Sequence, residues 1–486
     1  MESNSCDVLI TNGTVVIPKV GTFQKHVLIE NGKIKDLRKS IDNIQASKKI
    51  DASQKYVLPG VIDPHAHYGV YTPINEAAKT ESRSAAVGGV TTMVRMLRLY
   101  ESYRNIGKHL TASKGNHHID YAIHASILTP DQLKDIPYLK NIGISSVKVY
   151  MNLGSDLRHI SMDLDPGTYD ITDGEVNMTD EFLVSIINEA AKVNSTVLLH
   201  AENPVVCSER ISKRKVQEIQ NGTATTAKLK IWCDCRPPSS EAESIIKVTR
   251  FASNVCSKLY FVHIGSTLAL NTILAEKQKR LSSLYIETCP HYLTHTADFD
   301  NITGKVVPPL RSKRDIQNIW SALQNGNIDT IGTDHVANRL SMKIGHGDLW
   351  TALAGFPGIA TMLPVLLSKG VNEDRISIER VSEVTSYNTA KIFGMYPKKG
   401  TIQQGSDADL IIVDLDLEQK VTPEILQSYS DYTIYDGWRM RGWPVLTMVR
   451  GEVIMQDGLV NNDTLGHGAF VARPPTIDDK LHEQLQ

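Results

Sequence analysis

Eight short apolar runs, each followed by a longer amphipathic stretch, fill the chain from Val57 to His335: VLPGVID, VTTMV, DYAIHA, ISSVKVY, TVLLH, LYFVH, LYIET and IDTIG. Strands that rejoin a sheet in the same direction need crossover connections, so this alternation predicts parallel pairing. Eight such units predict an α/β fold, a (β/α)8 barrel of the TIM type, which usually takes about 250 residues. A doubly wound open sheet shares the alternation, and the count alone does not separate the two. The polar residues favour the barrel. His65 and His67 close the first run, Lys148 lies near the end of the fourth, His200 ends the fifth, His263 ends the sixth and Asp334 follows the eighth. In a barrel all C-terminal strand ends converge on one face, where active sites of this fold lie.

The two ends of the chain have another texture. VLITNGTVVI and HVLIENGKI are β-branched runs holding Asn12-Gly13 and Asn31-Gly32, dipeptides that favour tight hairpins, and predict a small antiparallel sheet. DLIIVDLD and VLTMVRGEVIMQDG repeat the pattern near the other end. Both ends are therefore expected to form one small discontinuous β-sandwich domain, residues 1–56 and 397–460, around a catalytic barrel of residues 57–396, with 461–486 as a tail. After Arg473 that tail, PPTIDDKLHEQLQ, reads as a short helix or a disordered segment.

A net charge of −2 over 486 residues gives no basic field for nucleic acid or an anionic membrane. No window nears the length of apolar residues that spans a bilayer, and MESNSCDVLI lacks the form of a signal peptide, so a cytoplasmic protein with a small-molecule partner is expected. Six cysteines are too few for a disulfide framework, and Cys233 and Cys235 lack the second pair a zinc site needs. Gly115-Asn116-His117-His118 precedes the third run, at the opposite end of the barrel, and is assigned no metal.

In PHAH, the two-residue spacing points His65 and His67 to the same side of a strand, where one cation could take both. A half-exposed strand without ligands would read the same way. His200 and His263 each follow an apolar run, as a hydrogen-bonded core histidine also would; on the same face as His65 and His67 they suit a second cation. Lys148 would repel that cation if charged. Desolvation and nearby cations favour the neutral amine, which can capture carbon dioxide as a carbamate with two ligating oxygens. A lysine that snorkels outward is the plain alternative. Asp334 in IGTDH could be a metal ligand, a general base or a helix cap.

Taken together, VLPGVIDPHAH, Lys148, LLHAEN, FVHIGS and GTDH resemble the amidohydrolase superfamily and its cyclic amidases: hydantoinases, dihydropyrimidinases, allantoinases and dihydroorotases. The likeness runs nearly end to end, and KIFGMYPKKGTIQQGSDADLIIVDLD and SDYTIYDGWRMRGWPVLTMVRGEVI are similar to the hydantoinase and dihydropyrimidinase branch. The resemblance implies two divalent metal ions, usually zinc. His65, His67, Lys148 and Asp334 would bind one, and Lys148, His200 and His263 the other, with Lys148 carboxylated as the bridge. A hydroxide shared by the metals would attack the ring amide, and Asp334 would act as general base and then acid. It further implies a homotetramer or homodimer, since Ser428–Pro475 resembles the tail that crosses between subunits in relatives.

Departures from the family pattern bear on substrate. Dihydropyrimidinases and many D-hydantoinases carry an oxyanion-binding tyrosine five residues after the metal lysine, and here Leu153 stands there, a pattern similar to some hydantoinases of non-D selectivity; Tyr150 and Tyr68 are candidate substitutes. Val307 replaces a common serine in VVPPLR, and Ala354 replaces a common asparagine in LAGFPG, so Leu153, Val307 and Ala354 are the expected substrate contacts. ETCPHYLTH resembles the allantoinase and dihydroorotase wording, yet the arginine that allantoinases carry after His-x-His is missing. The function implied is opening of a hydantoin-type ring to an N-carbamoyl amino acid, with dihydropyrimidine or allantoin as alternative substrates. A non-catalytic oligomeric scaffold of the same fold is the reading from another class.

Overall fold

The computed structural model describes residues 5–221, 228–279 and 283–473. Its central sheet has nine strands: β1 (Val61–His67), β2 (Val90–Leu97), β3 (Asp120–Ser126), β4 (Ser146–Tyr150), β5 (Thr196–His200), β6 (Lys258–Phe261), β7 (Ser283–Thr288), β8 (Thr330–Ile331) and β9 (His335–Val336). Neighbours follow chain order from β1 to β8, every pairing is parallel, and β9 returns to pair with β1. Because β8 and β9 are pieces of one segment, the sheet curls round on itself as the TIM-type barrel expected from the eight runs. Strands β1 to β5 are buried along their whole length, as parallel strands covered on both faces must be, which is why they read as apolar runs. The helix Asp180–Lys192 shows how the outer ring is built. It buries Phe182, Leu183, Ile186, Ile187, Ala190 and Ala191 along one stripe, and the Thr179 hydroxyl caps it by accepting from the Phe182 amide at 3.2 Å.

The eighth run departs from a simple strand. IDTIG supplies only two paired residues; the chain then breaks over 332–334 and resumes as β9. A Cβ on Gly332 would lie 2.6 Å from Glu287 Oε2, so only glycine fits there. Thr333 donates to Asp63 through its amide (3.0 Å) and its hydroxyl (2.5 Å), and the His65 amide donates to the same carboxylate at 3.1 Å. Asp63 on β1 thus stitches the broken segment back to the barrel.

The chain ends form two sheets. Leu459–Val460, Glu452–Gln456, Arg439–Val449, Leu410–Lys420, Tyr56–Pro59, Thr14–Ile17 and Gly21–Gln24 make a seven-stranded sheet. Lys33–Arg38, His26–Glu30, Ser5–Thr11 and Gln45–Asp51 make a four-stranded one. Ile10, Val27 and Ile29 of the smaller pack with Val15, Val57, Leu410 and Met448 of the larger, giving a sandwich built from both chain ends. Three expectations are corrected in detail. Both sheets are mixed rather than antiparallel, since Ser5–Thr11 runs parallel to Gln45–Asp51 and Thr14–Ile17 parallel to Tyr56–Pro59. Asn31-Gly32 does turn a hairpin, but Asn12-Gly13 carries the chain from one sheet to the other. VLPGVID is not one strand: Tyr56–Pro59 pairs with Leu410–Lys420, and the barrel starts after Gly60, where a Cβ would meet the Thr91 side chain at 2.1 Å.

The segment before Arg473 runs beneath the N-terminal ends of the strands. The Val471 amide donates to Tyr121 O at 2.7 Å, and Arg473 Nη1 to Ser146 Oγ at 2.9 Å. Nearby, buried Lys399 bonds Asp120 Oδ2 at 2.7 Å and the Asp409 carboxylate, with Asp407 at 3.4 Å, while Arg450 reaches Asp120 from the other side. His117 is engaged by Ser113 O (3.0 Å) and the Tyr68 hydroxyl (3.2 Å), and His118 by Thr464 Oγ1 (2.9 Å). The PPTIDDKLHEQLQ segment lies outside the described residues. No helix among the described residues is long and apolar enough to cross a membrane.

Candidate active site

At the C-terminal ends of the strands lies a cavity of about 390 Å³. His65, His67, Lys148, His200, His263, Asp334, Leu153, Val307 and Ala354 line it together. His65 Nε2 and His67 Nε2 each stand 3.2 Å from Asp334 Oδ1. One ligand atom from each of these three residues falls within 4.8 Å of the others, a metal-binding group of two imidazoles and a carboxylate. On the far side, His263 Nε2 faces His200 Nδ1 at 3.0 Å. Two of these residues, His263 (φ 44°) and Asp334 (φ 50°), hold left-handed backbone conformations that cost a non-glycine residue energy.

Buried carboxylates fix the imidazoles. His65 Nδ1 donates to Glu287 Oε1 at 2.7 Å, leaving the Nε2 lone pair free to face Asp334 and the cavity. Glu287 is held in turn by the Tyr260 hydroxyl (2.8 Å) and the His263 amide (3.0 Å). His200 Nε2 donates to Glu202 Oε2 at 2.7 Å, which leaves its Nδ1 as the acceptor. Burial pushes the Glu202 carboxyl up, but Arg236 and His200 outweigh that and draw it down to about 2. Burial lowers His67 to about 3 and drives His263 well below its ordinary value, so both stand as neutral imidazoles able to bind a cation.

Lys148 is buried to 1% exposure and its Nζ has no hydrogen-bond partner among the described residues. Desolvation draws its ammonium down to about 8, with the carboxylates of Asp334 and Glu287 opposing. A buried amine without a partner is costly unless something completes it. The orphaned Lys148 Nζ and His263 Nδ1 and the turned-in lone pairs of His65 and His200 make a donor set that fits metal ions and a lysine modified to carry an acid.

The remaining wall comes from loops. Lys343 Nζ donates to three carbonyls, Lys305 O (2.6 Å), Leu353 O (2.7 Å) and Gly355 O (2.7 Å), and so ties the segment carrying Val307 to the one carrying Ala354. Of the two tyrosines weighed against Leu153, Tyr150 lines the cavity with a buried, unpartnered hydroxyl, whereas Tyr68 is spent on His117. Arg98, Trp232 and Lys305 also line the cavity and went unnoticed in the sequence; for Arg98 the signal was its place at the end of β2.

Comparison with known proteins agrees with this geometry. The model of the amidohydrolase family matches residues 171–454. The L-hydantoinase of Paenarthrobacter aurescens is 32% identical over 477 residues, covering 96% of this chain and 98% of that one. The D-hydantoinase of Ralstonia pickettii is 30% identical, with 93% and 96% covered. The crystal structure of dihydropyrimidinase from Brevibacillus agri superposes with a TM-score of 0.84 at 28% identity, covering 96% of this chain and 98% of that one. A metal-binding barrel face with this histidine and aspartate set, matched over nearly the whole chain, places the protein in the amidohydrolase family. Within it the protein is an enzyme of the hydantoinase and dihydropyrimidinase type, a hydrolase of carbon–nitrogen bonds in cyclic amides. That sets aside the non-catalytic scaffold.

Proposed function

We propose that the protein opens a hydantoin-type ring to an N-carbamoyl amino acid using two divalent metal ions, zinc by family habit, bridged by carboxylated Lys148. The observation that carries this reading is the meeting, in one cavity, of His65, His67 and Asp334 with the orphaned Lys148 amine and the facing His200 and His263 rings. His65, His67, Lys148 and Asp334 would hold one ion, and Lys148, His200 and His263 the other. When bound, such a pair supplies a Lewis acid for the carbonyl and lowers the pKa of water near it.

The protein's own groups do the rest. Burial raises the Asp334 carboxyl, but the surrounding imidazoles of His65, His67 and His263 reverse this and keep it a carboxylate. It can therefore take the proton from the attacking water and return it to the ring nitrogen as that bond breaks. Glu287 and Glu202 hold His65 and His200 in the tautomers that present a lone pair to the site. Leu153, Val307 and Ala354 supply apolar or main-chain contact to the ring, the last two on loops that Lys343 keeps together.

The test is ring opening of hydantoin, dihydrouracil and allantoin by metal-replete protein beside an Asp334→Ala control. Hydantoin turnover that vanishes in the control, with two metal ions bound per chain, is the expected result. Preference for dihydrouracil or allantoin would move the enzyme to that neighbouring branch. Absence of turnover on all three in protein that holds both ions would overturn the hydantoin reading. We further propose a homotetramer or homodimer formed through Ser428–Pro475; a monomer mass in light scattering would refute it.

A further inference from the structure

Two cations line the cavity with no hydrogen-bonded carboxylate among the described residues, Asp163 lying at the edge of reach of Arg98 and Asp348 felt only through charge at Lys305. Arg98, 9% exposed, follows β2, and its guanidinium comes no nearer than 4.0 Å to Asp163. That carboxylate is already occupied by Arg95, through Nε at 3.1 Å and through Nη2, and by the backbone amide of Arg98 at 2.6 Å. Arg98 Nε has no hydrogen-bond partner among the described residues. Lys305, 5% exposed, donates only to the main-chain carbonyl of Ala352 and stands 4.5 Å over the Trp232 ring. The cavity's other arginine differs, because Arg236 is bidentate to Glu202.

A buried cation is costly unless an anion completes it, and a charged lysine or arginine resting on carbonyls and an aromatic face is only partly compensated. The acids that share the cavity are committed elsewhere: Asp334 stands among the histidines and Asp156 accepts from Ser208 at 2.7 Å. An uncharged hydantoin would leave Arg98 and Lys305 as they are. The guanidinium's planar fork matches a carboxylate, and Lys305 adds a point charge on the Trp232 wall.

We propose that the substrate of this enzyme is a cyclic amide carrying a carboxylate on a short side chain, and that Arg98 and Lys305 are the receptors for that carboxylate. Arg98 lines the cavity together with His67, Lys148 and Tyr150, and its charge is felt at all three. The inference rests on the cyclic-amide reading above.

The experiment compares hydantoin-5-acetate with its carboxamide in ring opening, and 2-imidazolidinone-4-acetate with its carboxamide in equilibrium binding to the metal-loaded enzyme. The latter pair are cyclic ureas without the imide bond the enzyme would cut. The acid is expected to be preferred about tenfold or more in both kcat/KM and Kd. The preference should collapse toward unity in Arg98→Gln and in Lys305→Met, and survive in part in Arg98→Lys, which keeps charge and fold. Equal handling of acid and amide, or a preference untouched by both substitutions, would overturn the proposal. Ring opening of both hydantoins without preference sinks the carboxylate receptor and leaves the hydrolase standing. Preferential binding of the acidic cyclic urea, with neither hydantoin opened, upholds the receptor and sinks the hydantoin reading.

Discussion

Tyr150 ends β4 with its ring centroid 5.3 Å from Lys148 Nζ and a buried hydroxyl that completes no well-formed hydrogen bond among the described residues, with Ser126 close by. With Leu153 unable to donate, this hydroxyl is an uncharged donor that lines the same cavity, on the strand that carries Lys148. Tyr150→Phe should therefore lower kcat by about 10²-fold with a much smaller change in KM, the signature of a donor used in the transition state. An unchanged kcat would assign the oxyanion to the ions. The histidines and Asp334 were legible in the sequence because each closes an apolar run, and a barrel gathers such ends on one face. Arg98 was not. The second strand continues to Leu97, but Arg95 interrupts its apolar text and makes the run look finished at Val94. Only Asp163, remote in sequence, explains why an arginine is tolerated inside that strand. Lys305 sits in a loop with no periodic signal at all.

Between consecutive barrel units, short polar devices set the helix starts. Asp315 closes a capping box with Ser312 at the start of the helix Lys313–Gln324 and accepts from the Thr267 amide (2.9 Å) and hydroxyl (2.7 Å) at the start of Thr267–Lys277. Burial raises this carboxyl, and the bonds from Ser312 and Thr267 overcome that and lower it below its ordinary value. A depressed folded-state pKa means the contribution is present above the unfolded value near 3.8 and is lost as pH falls through the folded one. Asp315→Ala should cost about 1 kcal/mol at pH 7 in denaturant unfolding and progressively less below pH ~4. A cost that does not change with pH would mean that Asp315 acts by packing. Elements of the small domain were harder to read for related reasons. Gln45–Asp51, QASKKID, is mostly exposed and polar, so it carries no strand pattern although it pairs along its length with Ser5–Thr11. Asn12 takes φ 60°, which the dipeptide does predict, but a left-handed residue serves a crossing between sheets as well as a hairpin.

Across the whole molecule, Lys399 is the point where barrel, sandwich and C-terminal segment meet. Asp120 opens β3, Asp407 and Asp409 lead into Leu410–Lys420, and the Ala469 amide also donates to Asp120 at 2.9 Å. The aspartates raise the Lys399 ammonium further above its ordinary value against the pull of burial, so it stays charged. Lys399→Met would strand those carboxylates in the interior, a loss of about 3 kcal/mol or more. Faster amide exchange at Tyr121, Val471 and Arg473, whose bonds close the C-terminal segment onto the barrel, is the measurement that reports it. Exchange unchanged from wild type would show that the segment is held by Arg473 and its apolar neighbours alone. The sandwich made from both chain ends has a further consequence during synthesis. Tyr56–Pro59 is translated before the barrel, yet its partner Leu410–Lys420 emerges only after the barrel is complete. The early strand therefore leaves the ribosome with an open edge that nothing can cover until the catalytic barrel has been made, and the nascent chain must keep that edge from other chains until then.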